Sequence, residues 1–150
     1  FLRPPVQSRL ARSSYLVSVS KKEVIDMANR DVRLTMWSGN NFTGRRILLR
    51  RGGVAVRDLG AFRFNNELSS FRLSNVVNST QVTLVLFSGT NFQGSFRVFR
   101  GSQNVANLSS LTFNNVTSSF VLVGFRLTDA QINRIRSTGN PPAGILVVRQ

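Results

Sequence analysis

One pattern occurs twice in this chain, and it limits what the chain can fold into. Residues Trp37-Ser-Gly-Asn-Asn-Phe42-Thr-Gly44 and Phe87-Ser-Gly-Thr-Asn-Phe92-Gln-Gly94 both read aromatic, four residues, Phe, one residue, Gly. Further on, Asn65-Asn66-Glu67-Leu68-Ser69-Ser70 is echoed by Asn114-Asn115-Val116-Thr117-Ser118-Ser119. The copies lie 50 residues apart at the first motif and 49 at the second. A repeat of this period means one supersecondary unit used twice.

Around the repeat, the hydrophobic pattern has period two. Val32 to Trp37 alternates, and Ser-Gly-Asn-Asn then turns the chain. Arg45 to Arg51 is predicted as the second strand, Val54 to Gly60 as loop or short strand, and Ser70 to Ser74 as the next strand. The second copy repeats the order with Gln81–Phe87, Ser95–Arg100, a polar stretch at Gly101–Ser110, and Ser119–Arg126. Short strands punctuated by turns predict an antiparallel sandwich. Val82 to Phe87 and Val121 to Phe125 are apolar on both faces, so a flanking segment or another subunit is expected to cover them.

The flanks read differently. Residues 1–14 form an extended arm with two prolines and three arginines, and Tyr15 to Val19 alternates as a short strand. Ser20-Lys-Lys-Glu23 has the capping-box pattern and predicts a helix near 21–29, with Val24, Met27 and Ala28 on its buried stripe. Thr128-Asp-Ala-Gln131 predicts a second helix, about 129–136, ending before Gly139. After Asn140-Pro141-Pro142, Gly144 to Arg149 is a strand candidate. The expected division is 1–31, then 32–127 (keys about 32–76 and 80–127), then 128–150.

Composition narrows the chemistry. The chain has no Cys and no His, which removes thiol nucleophiles, disulfides and most zinc sites. Its six carboxylates are dispersed, so no enzyme is expected. No apolar run approaches ~18 residues, so no membrane span is expected. The first residue is Phe, as in a processed or partial product. Net charge is +14, and 18 of the 20 basic residues are Arg. Arg makes forked contacts to phosphate or carboxylate, which suggests an anionic polymer or acidic surface as partner. Solubility by self-repulsion accounts for the same charge. Asn-x-Ser/Thr triplets at Asn41, Asn78, Asn107 and Asn115 are given little weight.

The two ordered motifs, each repeated at matching offsets, resemble the βγ-crystallin superfamily, in particular its microbial members. The resemblance covers about 32–127. It implies an all-β fold: a double Greek-key β-sandwich, here with short flanking helices and extended N- and C-terminal arms. It implies that Trp37 with Phe42, and Phe87 with Phe92, pack as aromatic corners over folded hairpins. Gly44 and Gly94 supply the backbone freedom of those hairpins, and Ser70 and Ser119 bond backbone at the start of the last strand.

The resemblance also implies calcium. Ligand duty falls to Asn65, Asn66 and Ser69, and to Asn114, Asn115 and Ser118, with main-chain carbonyls at Glu67 and Val116. Each site is completed by the partner key's loop. All four Asx positions are Asn, and affinity rises with carboxylate count, so binding is expected to be weak, roughly the sub-millimolar to millimolar range of extracellular modules. The same Asn and Ser also serve a tight turn without any metal.

These readings converge on a non-enzymatic structural protein, a self-assembling subunit of a filament, coat or shell, secreted or associated with a surface or assembly. Pro4-Pro5 and Pro141-Pro142 keep the arms extended, so residues 1–19 and 140–150 are expected to dock outside their own sandwich and build a homo-oligomer. The alternatives are a solitary calcium-stabilised stress or dormancy protein, and a basic secreted effector (a toxin or protease inhibitor).

Overall fold

The computed structural model describes residues 29–148. Among these are nine strands in two sheets: β1 (Val32–Gly39), β2 (Thr43–Leu49), β3 (Val54–Val56), β4 (Ser70–Asn75), β5 (Thr83–Phe87), β6 (Phe96–Arg100), β7 (Gln103–Val105), β8 (Ser119–Val123) and β9 (Leu146–Val148). The first sheet has the order β2-β1-β4-β7 and the second β6-β5-β8-β3-β9. Each key therefore lends one strand to the other's sheet: β3 leaves the first copy, and β7 leaves the second. The molecule is an all-β, two-sheet Greek-key sandwich.

Register follows from the alternation. Leu34 pairs with Leu49 and Leu73, and Met36 with Ile47 and Phe71. In the second sheet Leu84 pairs with Phe99 and Leu122, and Leu86 with Phe120. A slip of one residue would turn every one of these side chains to the wrong face. Together they fill the space between the sheets, where Phe71 and Phe99 meet edge to face at 4.9 Å.

The second sheet is buried on both faces. Its outer side chains, Ala55, Val85, Phe87, Val121 and Val123, pack under Leu127, Ile132 and Ile135. The two isoleucines belong to α1 (Asp129–Thr138). Thr128 caps this helix with the reciprocal Gln131 bond, and Gly139 ends it at φ +69. A flanking segment of the same chain thus covers the doubly apolar strands.

Two expectations change. The C-terminal segment does not dock elsewhere: β9 adds in parallel to β3 of its own sheet. Leu146 N–H donates to Gly53 C=O at 2.8 Å, and Arg57 N–H to Val148 C=O at 3.0 Å. The physical reason is the free edge of β3, which α1 delivers the chain beside. The polar stretch at Gly101–Ser110 holds β7 and the start of a 3-10 turn, Leu108–Leu111. Three residues are too few for alternation to show. The stretch from Val54, expected as loop or short strand, is the short strand β3 followed by a matching turn, Leu59–Phe62. The arm over 1–14, the strand at Tyr15–Val19 and the helix near 21–29, except Asn29, lie outside the described residues. Asn29 is buried; its Oδ1 accepts from Gly124 N–H at 2.5 Å and its C=O from Gly52 N–H at 2.9 Å.

Candidate metal centre

The geometry starts at the two folded hairpins. Trp37 meets Phe42 at 5.2 Å and Phe87 meets Phe92 at 5.7 Å, both edge to face. Phe42 and Phe92 both lie in the left-handed region, at φ 59 and φ 62. Their N–H groups are held by serine: Phe42 N–H donates to Ser70 Oγ, and Phe92 N–H to Ser119 Oγ, both at 3.0 Å. Those hydroxyls donate in turn to Gly39 and Gly89 C=O, both at 2.6 Å. Gly44 turns at φ +88, and a Cβ there would overlap Ser38 Oγ and stand 3.0 Å from Gly39 N. Gly94 repeats this at φ +85. Only glycine fits both the angle and the space.

These corners fix the Asn-Asn loops. Asn66 and Asn115 take left-handed backbone, φ 58 and φ 56. That shape lets each loop reach the other key: Asn66 N–H donates to Thr117 C=O and Asn115 N–H to Leu68 C=O, both at 3.0 Å. The side chains cross the same way. Ser69 Oγ meets Asn115 Oδ1 at 2.8 Å, and Ser118 Oγ meets Asn66 Oδ1 at 3.2 Å.

The two junctions are unequal. Ser69 Oγ faces three acceptors: Asn115 Oδ1 at 2.8 Å, Ser38 C=O at 2.9 Å and Glu67 C=O at 3.4 Å. A hydroxyl has one proton to donate. Three oxygens thus converge on one hydroxyl, the kind of oxygen cluster that a hard cation takes. Asn114 Oδ1 is also buried without a hydrogen-bond partner among the described residues. The donor set is all oxygen and all neutral, so it fits calcium as a weak ligand. Among the described residues Ser118 Oγ has one hydrogen bond, to Asn66 Oδ1. Ser38 C=O was not anticipated from the sequence, although a Ser follows the aromatic residue in both copies.

Other candidate residues stand apart. Asn65 is exposed and joins neither cluster, and Val116 is exposed too. The Glu67 carboxylate pairs with Arg45 at 2.9 Å, so the charge it brings is already answered. Among the described residues no group of three or more His, Cys, Asp and Glu gathers.

The Thr117 hydroxyl is fully buried and makes no hydrogen bond among the described residues. Its counterpart in the first copy is Leu68, also fully buried. Thr117→Val removes an unsatisfied polar atom while keeping the shape. It should raise unfolding free energy by about 1 kcal/mol, read as a higher urea midpoint at unchanged slope. A lower midpoint would mean that the hydroxyl has a partner in solution.

No protein-family model matches the chain, and no curated protein does. Solved structures do. The chain is similar to a domain solved in connection with the evolution of the eye-lens βγ-crystallin domain fold. Identity is 20%, TM-score 0.53, and the match covers 63% of this chain and 87% of that one. A βγ-crystallin domain from Flavobacterium johnsoniae matches at 22% identity and TM-score 0.47, over 63% of this chain and 98% of that one. A βγ-crystallin from Ciona intestinalis matches at 20% and 0.48, over 59% and 96%.

Proposed function

We propose that this chain, whose fold is that of the βγ-crystallin superfamily, is a non-enzymatic structural module that calcium braces weakly where its two keys meet. The observation that carries the reading is Ser69 Oγ, one proton among three oxygens drawn from both keys. Asn115, Ser69 and the carbonyls of Ser38 and Glu67 would hold the ion at the first junction, and Asn66 with Ser118 at the second. The carboxylates support the absence of catalysis: Glu67 pairs with Arg45, Asp129 with Arg100, and Asp58 caps a turn at Gly60 N–H.

Calcium at about 10 mM should raise the melting temperature. A ligand that binds only the folded state at a tenfold excess over its Kd adds about 1.4 kcal/mol, or a few degrees for a domain of this size. Ser69→Ala should remove more of the shift than Ser118→Ala, and the pair should abolish it. A melt that calcium leaves unmoved reduces both loops to turn chemistry.

A second reading, the self-assembling subunit, keeps one structural support. Strand β9 lies at the edge of its sheet with Leu146 65% exposed, an open place for another copy. The net charge of +14 supports an anionic polymer or acidic surface as the further partner. Mass in solution with and without calcium separates the readings. A monomer in both conditions ends the assembly reading and favours a solitary calcium-stabilised protein.

A further inference from the structure

The two sheets treat their outer faces in opposite ways. The second is sealed by α1, whereas the first carries arginines and aromatic rings outward. Alternation puts Arg33, Thr35 and Trp37 of β1 on the side away from the core. The register aligns Trp37 with Arg46 and Ser70, and Thr35 with Leu48 and Arg72. Arg33 reaches the end of β2, where its Nη1 donates to Arg50 C=O at 2.6 Å. The register thus puts Arg33, Arg46 and Arg72 on one sheet face, with Arg50 just past the end of β2, and β1, β2, β4 and β7 contain no Asp or Glu. The side chains of Arg46, Arg50 and Arg72 are exposed and make no hydrogen bond or ion pair among the described residues.

The aromatic rings are interleaved with this charge. Arg72 lies 4.3 Å over the Phe42 ring and 5.6 Å from Trp37. Lying on a ring fixes the guanidinium plane and leaves its N–H edges unclaimed. Sequence order hid the arrangement, because Trp37, Phe42, Arg46 and Arg72 come from three different segments. Solubility needs charge alone. A sheet face with unneutralised guanidiniums around half-exposed rings matches a ligand that is both anionic and aromatic along its length.

We infer that the outer face of the first sheet binds single-stranded nucleic acid. Arg33, Arg46 and Arg50 meet phosphates, and bases stack on Trp37 and on the Phe42–Arg72 pair. The inference is independent of the calcium junctions, and its test is run in chelator.

Trp37 is the chain's one tryptophan, so its emission reports on the face directly. The full chain is titrated with a labelled oligothymidylate of about 20 nucleotides, from about 50 to about 300 mM salt. Arg46→Gln with Arg72→Gln should weaken binding at least about tenfold near 100 mM salt and flatten the log–log salt slope by about 0.7, the share of the one phosphate contact that Arg46 makes. Arg126→Gln with Arg134→Gln removes equal charge from exposed positions elsewhere and should cost less than about threefold. Unlabelled oligothymidylate should quench Trp37, while charge-matched heparin should not. Equal losses in the two double variants would overturn the inference, since charge alone would then explain binding. So would oligothymidylate that leaves Trp37 unquenched while heparin or phosphatidylserine vesicles bind through Arg46 and Arg72. The face would then belong to a polysaccharide or a membrane surface.

Discussion

Replacing Ile132 and Ile135 together by alanine should lower unfolding free energy by about 4 kcal/mol or more, since each buried Ile→Ala costs about 2–5 kcal/mol. Both side chains are at most 2% exposed, pressed on the outer face of the second sheet. The two sit one turn apart in a single contact, so their effects couple. The loss should come with new behaviour as well. Val85, Phe87, Val121 and Val123 would face a loosened cover, and an apolar sheet face without its cover promotes association. Urea unfolding reads the stability, and light scattering at rising concentration reads the association. A change below about 1 kcal/mol would mean that α1 is not what seals this face, and would return the cover to another copy of the chain.

Phe87→Ala should cost about 3–5 kcal/mol, and Trp37→Ala clearly less, although the two residues fill the same place in the repeat. Phe87 is fully buried and touches two rings, Phe92 at 5.7 Å and Phe96 at 6.2 Å. Its removal opens a cavity roofed by α1, and the helix can close it only by giving up its own contacts. Among the described residues Trp37 has one ring neighbour, Phe42, and an arginine over it, and its side chain is part-exposed. Much of the area lost on truncation there was never withdrawn from solvent. Equilibrium unfolding of both variants decides the point. Equal costs would show that the repeat, not the cover, sets the energy of the corner.

Much of the sandwich was legible because its signals are local. Alternation from Val32 to Trp37 predicts a half-buried strand, and the strand is there. Thr128 with Gln131 predicts a helix start, and the reciprocal cap is made. Short elements were not legible. Gln103-Asn104-Val105 becomes a strand because Phe71 and Leu73 offer Val105 and Gln103 a partner edge, not because of its own pattern. The candidate metal centre divides in the same way. The Asn and Ser residues stand out in the repeat, but Ser118 meets Asn66 across 52 residues, and no spacing rule gives that pairing. The unequal oxygen count at the two junctions, with Ser38 C=O added at one, also needed coordinates.

What the sequence determined by itself was the unit and its duplication. A glycine that alone fits φ near +85 and period-two apolarity are each written in a few adjacent residues. What only the tertiary structure decided was the fate of surfaces. Two sheets of similar strands ended with opposite outer faces, one under a helix and one bearing arginines and rings. The C-terminal strand, apolar and preceded by Pro141-Pro142, joined its own sheet. A local pattern specifies how a segment wants to be buried. Which neighbour buries it depends on which edges and faces the rest of the chain leaves open, and that is settled only when all the segments compete for them at once.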